Sequence, residues 1–131
     1  MRTEMPENEY VYVMGDGDKI RERVESYLLN QNLEELSKFS QSLTDAIDQL
    51  RKTASLTMNA RVILAGGDDI LLSIPRKSYS KVRVQQLQET FHNLTGVTIS
   101  FGIGKTIEAA YLNLRRAKSS SNLKIVEEEQ S

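Results

Sequence analysis

The spacing of apolar residues changes along the chain and divides its first half into a strand and two helices. Residues 9–14 are rich in β-branched and aromatic residues without regular polar alternation, which predicts a strand buried on both faces. Apolar residues on one face of residues 20–28 predict a short helix. From Leu33 to Leu50 they recur every three or four positions, which predicts a long amphipathic helix that begins after an Asn32 cap.

A hairpin is predicted in the middle of the chain. Two short apolar runs, residues 61–65 and 70–74, are separated only by the glycine-acid sequence 66–69. Short β-prone runs joined by such a turn are typical of antiparallel hairpins.

The rest of the chain shows a helix pattern at residues 84–94, a strand at 97–103, a helix at 107–117 and a short final strand at 123–126. This order of elements is typical of ferredoxin-like or palm domains. The predicted fold class is therefore α+β, with an antiparallel-rich sheet of roughly four to five strands and helices packed on one face.

Length and composition limit the classes of function. The 131 residues fit one domain, assigned to residues 9–126, between a flexible tail at 1–8 and an acidic tail at 127–131. Because the chain has no cysteine, thiol nucleophiles and zinc–thiolate sites are excluded. Because His92 is the single histidine, multi-histidine metal sites are excluded as well.

Charge and hydropathy bear on location and partners. The net charge of −1 gives no reason to expect strong binding to nucleic acid. No apolar run approaches the roughly 20 residues that span a bilayer, and the N-terminus lacks a signal-peptide pattern. We therefore expect a cytoplasmic protein without direct membrane insertion.

Acidic residues follow the first predicted strand and form the predicted hairpin turn. Asp16 and Asp18 end the strand, and Asp68 and Asp69 lie in the turn. Since the first strand of such a fold lies beside the hairpin, about 4.8 Å away, these carboxylates would crowd one edge of the sheet. Their repulsion is relieved by a hard cation, so the residues predict a site for Mg²⁺ or Mn²⁺. Two ions per site, about 4 Å apart, could activate a hydroxyl and hold a leaving oxygen.

Glycines accompany both acidic motifs. Gly17, Gly66 and Gly67 would let the backbone approach a phosphate closely or adopt a positive φ. Either motif alone could be ordinary turn chemistry, with Asp18 as the cap of the next helix. Their combination favours the metal site.

Basic residues near the C-terminus leave two interpretations open. The sequence 104–106 lacks the earlier glycine of a P-loop, because Ile99 stands in its place. Lys105 therefore either lies near a phosphate or is a solvated residue at a helix start. Arg115 and Arg116 could attract a triphosphate or form a solvated helix face.

Residues 13–18 (VMGDGD) and 64–71 (LAGGDDIL) resemble the two acidic motifs of the minimal CRISPR polymerase family. These are stand-alone palm domains related to the large subunit of type III CRISPR complexes and to diguanylate cyclases. Residues 102–111 and 114–118 resemble the closing strand and helix of such palms, so that the resemblance extends over residues 10–122.

The resemblance implies an enzyme that converts nucleoside triphosphates, usually ATP, into a cyclic oligonucleotide that a separate effector reads in antiviral signalling. It implies that Asp16 and Asp68 hold the catalytic metals, with Asp69 as their neighbour or a third ligand and the Gly17 carbonyl as an extra ligand. It also implies that Lys118 grips the triphosphate. The residues expected at the nucleotide are Gly17, Asp18, Gly66, Gly67, Lys105, Arg115 and Lys118.

Ring formation needs two bond-forming steps, so we expect a homodimer with two facing sites. The sequence departs from the diguanylate cyclase pattern at Ile70 and at residues 121–122, which argues against a guanine-specific enzyme. Two alternatives stay open: a catalytically silent palm that binds nucleotide as a regulatory module, and a structural ferredoxin-like module that mediates protein contacts.

Overall fold

The strand at residues 10–17 forms the centre of a five-stranded sheet. The structure, a computed structural model, describes residues 9–120 and 124–127. Its elements are β1 (Tyr10–Gly17), α1 (Ile20–Leu29), α2 (Leu33–Met58), β2 (Arg61–Gly66), β3 (Asp69–Pro75), a 3₁₀ turn (Arg76–Ser78), α3 (Lys81–Thr95), β4 (Ile99–Gly104), α4 (Ile107–Lys118) and β5 (Ile125–Glu127).

The strand order is β2-β3-β1-β4-β5. β1 pairs antiparallel with both β3 and β4, and β5 pairs parallel with β4. The hairpin therefore lies beside β1, as expected, and the register places Asp16 directly opposite Asp69. The predicted fifth strand is present, and it extends to Glu127.

One face of the sheet forms the main core together with α2 and α3. Val11 and Val13 of β1 lie on this face, and Val13 pairs with Leu72 of β3 and Ile103 of β4. Helix residues such as Leu50 complete the core. Burial of one side chain of this size contributes about 1.5–3 kcal/mol. β1 was expected to be buried on both faces, but the residues of its other face are only half-buried.

Helix α4 covers the opposite face. A Cβ atom on Gly102 would lie 2.1 Å from the Leu114 backbone nitrogen, so the helix contacts the strand backbone directly. Gly102 lies on the other side of the sheet from its neighbour Ile103, because successive side chains alternate between faces. The α+β palm class is confirmed, but the expectation that all helices share one face is corrected. The reason is that β4 is buried on both sides and has to be covered twice.

The cap predicted for α2 is present. Asn32 Oδ1 accepts a hydrogen bond from the Glu35 backbone nitrogen at 3.3 Å. The Asn32 backbone nitrogen donates to Tyr27 O rather than to the Glu35 side chain, so only half of a capping box forms.

Parts of the expected tails, residues 1–8 and 128–131, lie outside the described residues, as do residues 121–123. Among the described helices, none is both long and apolar enough to cross a membrane.

Candidate functional site

Three carboxylates converge at the edge of the sheet where β1 meets the hairpin. One oxygen each of Asp16, Asp68 and Asp69 lies within 4.8 Å of the others. Asp16 and Asp69 are held by the strand register, and Asp68 by the turn. The Gly17 backbone nitrogen donates to Asp68 O at 3.0 Å, which ties the turn to the end of β1. The predicted acidic cluster is therefore formed by backbone pairing.

The hairpin turn consists of Gly67 and Asp68, between the paired residues Gly66 and Asp69. Gly67 has a φ of 60°, a conformation that residues with a side chain rarely adopt. Glycine at the first turn position suits a two-residue hairpin. A Cβ atom on Gly66 or Gly67 would meet no atom within 4 Å, so both glycines leave the surface beside Asp68 open.

The cluster raises the pKa of two of its members. Burial, followed by the neighbouring Asp16 charge, raises the pKa of Asp68. A hydrogen bond with Asp16, followed by burial, raises the pKa of Asp69 to about 7. The three oxygen donors suit Mg²⁺ or Mn²⁺, since hard cations prefer carboxylate ligands and would relieve this repulsion. The residues present therefore fit the metal site that the sequence predicts.

Lys118, at the end of α4, contacts the backbone next to this cluster. Its Nζ donates to Asp16 O at 2.9 Å, to Gly17 O at 2.7 Å and to Asp18 Oδ1 at 2.8 Å. It also lies 3.1 Å from Asp16 Oδ2. The Gly17 carbonyl, expected as a metal ligand, is thus a hydrogen-bond acceptor for Lys118 here. The ammonium group joins α4 to the end of β1.

Asp18 faces the interior of the protein. Its side chain accepts hydrogen bonds from Thr98 Oγ1 and Ser100 Oγ, both at 2.7 Å, and from Lys118. Lys124 Nζ lies 3.6 Å away. Burial tends to raise the pKa of Asp18, but the hydrogen bonds from Lys118, Thr98 and Ser100 together lower it. Asp18 therefore positions Lys118, and its expected place at the nucleotide stays a prediction.

Two cavities share Lys118 in their lining. The larger cavity, about 780 Å³, is lined by the basic residues Lys19, Arg23, Lys118 and Lys124 together with serine and threonine hydroxyls. The smaller cavity, about 410 Å³, is lined by Asp16, Tyr111, Leu114, Arg115, Lys118 and Ser119. Lys118 and Ser119 line both cavities.

The structure does not bring Lys105 to the acidic cluster. Lys105 follows Gly104, which pairs with Tyr12 of β1, whereas Asp16 pairs with Ser100 at the other end of β4. Four strand residues separate these positions, or about 13 Å. Lys105 lies away from the acidic cluster because the antiparallel pairing of β1 and β4 places it at the opposite end of the strand, and its contact with the nucleotide stays a prediction.

Other basic residues that line the larger cavity were missed by sequence reasoning. Lys19 begins α1 with a φ of 57°, and Arg23 lies one turn later. Lys124 precedes β5. Lys19 could have been identified from its position directly after an acidic motif. Arg23 and Lys124 could not, because they line the cavity only through the packing of distant elements. Arg115, which was predicted, lines the smaller cavity.

The family model of the minimal CRISPR polymerase domain matches residues 12–127 of the chain. No curated protein matches the chain. Among solved structures, a chain of the Csm1–Csm4 cassette in complex with cA4 has a TM-score of 0.70 and 16% identity, over 92% of this chain and 21% of that chain. The chain thus spans about a fifth of the cassette chain that it matches.

Two cyclase-type structures are also similar. Diguanylate cyclase SiaD from Pseudomonas aeruginosa, in complex with its activator SiaC, has a TM-score of 0.54 and 18% identity, over 92% of this chain and 50% of that chain. An EAL/GGDEF domain protein from M. capsulatus has a TM-score of 0.57 and 14% identity, over 94% of this chain and 86% of that chain. At these identities the likeness shows the fold.

Proposed function

Because the chain belongs to the minimal CRISPR polymerase family, we propose that it is a nucleotidyltransferase that makes a cyclic di- or oligonucleotide from nucleoside triphosphates. The observation that carries the proposal is the convergence of Asp16, Asp68 and Asp69. Lys118, which contacts Asp16, also lines a basic cavity. Palm domains host many functions, so these residues support the activity more strongly than the fold does.

ATP is the proposed substrate, and its triphosphate occupies the larger cavity. A Csm1–Csm4 cassette has been crystallised with one ATP, and another with cA4. In this chain, Lys19, Arg23 and Lys124 supply positive charge around the cavity, opposed by Asp18 and Glu22. The cavity volume of about 780 Å³ lies within the roughly 300–1,000 Å³ of small-molecule sites.

In the reaction, a ribose hydroxyl of one nucleotide loses its proton to solvent and its oxygen bonds to the α-phosphorus of another. The bond from that phosphorus to the bridging oxygen breaks, and pyrophosphate leaves with its electron pair. Divalent ions, Mg²⁺ or Mn²⁺, held by Asp16, Asp68 and Asp69 would lower the pKa of that hydroxyl and neutralise charge on the leaving group. Lys118 keeps the end of β1 in place and offers its charge to the triphosphate. The chain therefore contributes position and electrostatics rather than a covalent intermediate.

Ring closure requires a second round of the same chemistry. We propose that two copies of the chain face each other to supply the second site. We also propose that the product serves as a second messenger in antiviral defence and is read by a separate effector, as the resemblance to this family implies.

The test is to incubate the purified protein with each ribonucleoside triphosphate and Mg²⁺ or Mn²⁺, and to identify the products by mass spectrometry. We expect a phosphatase-resistant cyclic adenylate that disappears with EDTA. The double variant Asp68→Asn/Asp69→Asn should make none, whereas Asp45→Asn, an exposed acid on α2, should remain active. Unchanged triphosphates with the wild-type protein would favour the silent, nucleotide-binding palm instead.

A further inference from the structure

The turn between α1 and α2, residues 28–33, projects beyond the end of the sheet at which the acidic cluster lies; we call it the tip. Thr44 of α2 lines a small cavity together with Gly66 and Gly67, so this part of the helix is level with the hairpin turn. From there α2 runs back along β2 to its start, since only a short loop joins the two elements. The earlier residues of the helix, 33–43, therefore continue past the sheet for about 16 Å.

The tip carries exposed leucines. Leu28, Leu29 and Leu33 are 51%, 84% and 64% exposed. The packing of α1 on α2 supports them from below, because the rings of Tyr27 and Phe39 lie 6.0 Å apart. Three exposed leucines within one turn exceed the scattered apolar residues of an ordinary surface, and such groups mark interaction sites.

The charges around the tip and on α4 are opposite in sign. Residues 24–38 contain three glutamates and one lysine, and this lysine, Lys38, pairs with Glu34 and Glu35. Helix α4 contains three basic residues and one glutamate. The exposed large apolar residues of α4 are Ile107, Tyr111 and Leu112. Both surfaces are therefore apolar, and their charges are complementary, as in interfaces that select one partner.

Within one chain these surfaces do not meet, because α2 and α4 lie on opposite faces of the sheet. A second copy brings them together when the two-fold axis lies in the plane of the sheet, perpendicular to its strands. This rotation places the two acidic clusters end to end and exchanges the faces, so that α4 of one copy lies on the side of α2 of the other. The contact forms twice, because a two-fold interface repeats every contact.

We propose that the tip of each copy docks on the exposed side of α4 of a second copy, with Leu29 against Leu112, and that this interface holds the two sites opposite each other. The proposal rests on the proposed function, which requires two facing sites, and it assigns the surfaces that make them face. Because ring closure requires both sites, a chain that does not dock in this way should form no cyclic product.

Sedimentation velocity of the free protein tests the interface with two matched variants. Leu29→Glu changes the tip, and Leu56→Glu changes a leucine that is equally exposed, at 87%, near the other end of α2. We expect Leu29→Glu to raise the Kd of the dimer about a hundredfold, since the interface loses two apolar side chains and gains two buried charges. Leu56→Glu should keep the wild-type Kd. A monomeric wild-type protein, or equal effects of the two variants, would overturn the proposal.

Cross-linking tests which surface receives the tip, and it is simple because the chain has no cysteine. A mixture of Leu29→Cys and Leu112→Cys, treated with a short bis-maleimide reagent, should give a linked heterodimer that mass spectrometry identifies. Leu56→Cys mixed with Leu112→Cys is the control and should give none. Linkage of Leu29→Cys only to itself would show that the tips meet each other, and it would overturn docking on α4.

Failure of the proposed function gives a different result. A wild-type protein that forms no product from any triphosphate contradicts the nucleotidyltransferase, whereas sedimentation and cross-linking still decide whether the tip docks on α4. With an active wild-type protein, Leu29→Glu should lose cyclic product at concentrations where it is monomeric, and Leu56→Glu should keep it. A monomeric Leu29→Glu protein with wild-type yield of cyclic product would overturn the role of this interface.

Discussion

Lys118 is the residue that links α4 to the acidic end of β1. Its ammonium group contacts Asp16, Gly17 and Asp18, and Asp18 is itself held by Thr98 and Ser100. The contact with a triphosphate that we propose for Lys118 would therefore add to a structural role of the same side chain. A change at this residue should affect both stability and nucleotide binding.

Lys118→Ala should lower the free energy of unfolding by about 2 kcal/mol, since hydrogen bonds to charged groups contribute roughly 1.5–3 kcal/mol each and Lys124 compensates in part. It should also raise the KM for ATP. Arg115→Ala, on the exposed side of the same helix, should change the free energy of unfolding by less than about 0.5 kcal/mol. Urea unfolding of both variants measures this difference, and equal losses would contradict the structural role.

The acidic cluster predicts a pH dependence of stability in the metal-free protein. The pKa of Asp69 rises from 3.8 to about 7 on folding, and that of Asp68 also rises. Between about pH 4 and pH 7 the folded state holds more protons than the unfolded state. The free energy of unfolding therefore falls as the pH increases through this range. Asp69→Asn should flatten this part of the profile. Thermal unfolding in EDTA measures it, with Asp45→Asn as a control that should keep the wild-type slope.

At the scale of elements, the contact between α4 and β4 determines where Lys118 lies. The backbone of α4 lies against Gly102 and Gly104, with no space for a side chain between them. Because the helix runs from Ile107 to Lys118, a shift at Gly102 would displace Lys118 from the β1 end. The site therefore depends on two small residues in a strand.

Gly102→Ala should lower the free energy of unfolding by about 3 kcal/mol, the upper part of the range for overpacking, because the added methyl group meets backbone atoms that cannot rotate away. It should also reduce nucleotidyl transfer. Gly66→Ala is the stability control, since its methyl group meets no atom within 4 Å. Denaturant unfolding compares the two, and a Gly102→Ala protein as stable as the control would show that α4 packs less closely than described.

At the scale of the whole molecule, the cluster and both cavities lie where the end of β1, the hairpin and the end of α4 meet. The free protein therefore carries three neighbouring carboxylates that oppose folding through their mutual repulsion. A cation and a nucleotide bound at this place should stabilise the fold as well as enable the reaction.

Mg²⁺ together with an ATP analogue that cannot release pyrophosphate should raise the melting temperature. A ligand at a hundred times its Kd adds about 2.7 kcal/mol to the free energy of unfolding. The variant Asp68→Asn/Asp69→Asn should lose most of this increase and, without ligand, should melt at or above the wild-type temperature. A double variant that Mg²⁺ and the analogue stabilise as strongly as the wild type would contradict the metal assignment.

The sequence by itself determined the order of the elements and the acidic cluster. Apolar spacing and the glycine-acid turn are local signals, and they placed the hairpin, the long helix and its Asn32 cap. The meeting of Asp16 with Asp68 and Asp69 followed from them, because a hairpin beside β1 leaves little choice of register.

Only the tertiary structure decided which face α4 covers, what Lys118 contacts and which basic residues reach the site. Lys118 and Asp16 are separated by 102 positions in the chain, and no periodic pattern encodes a contact over that distance. The same holds for Lys124 in the larger cavity and for Tyr111 in the smaller one. Lys105 lies at the end of β4 away from Asp16 because of the antiparallel direction of that strand, which a local pattern does not specify.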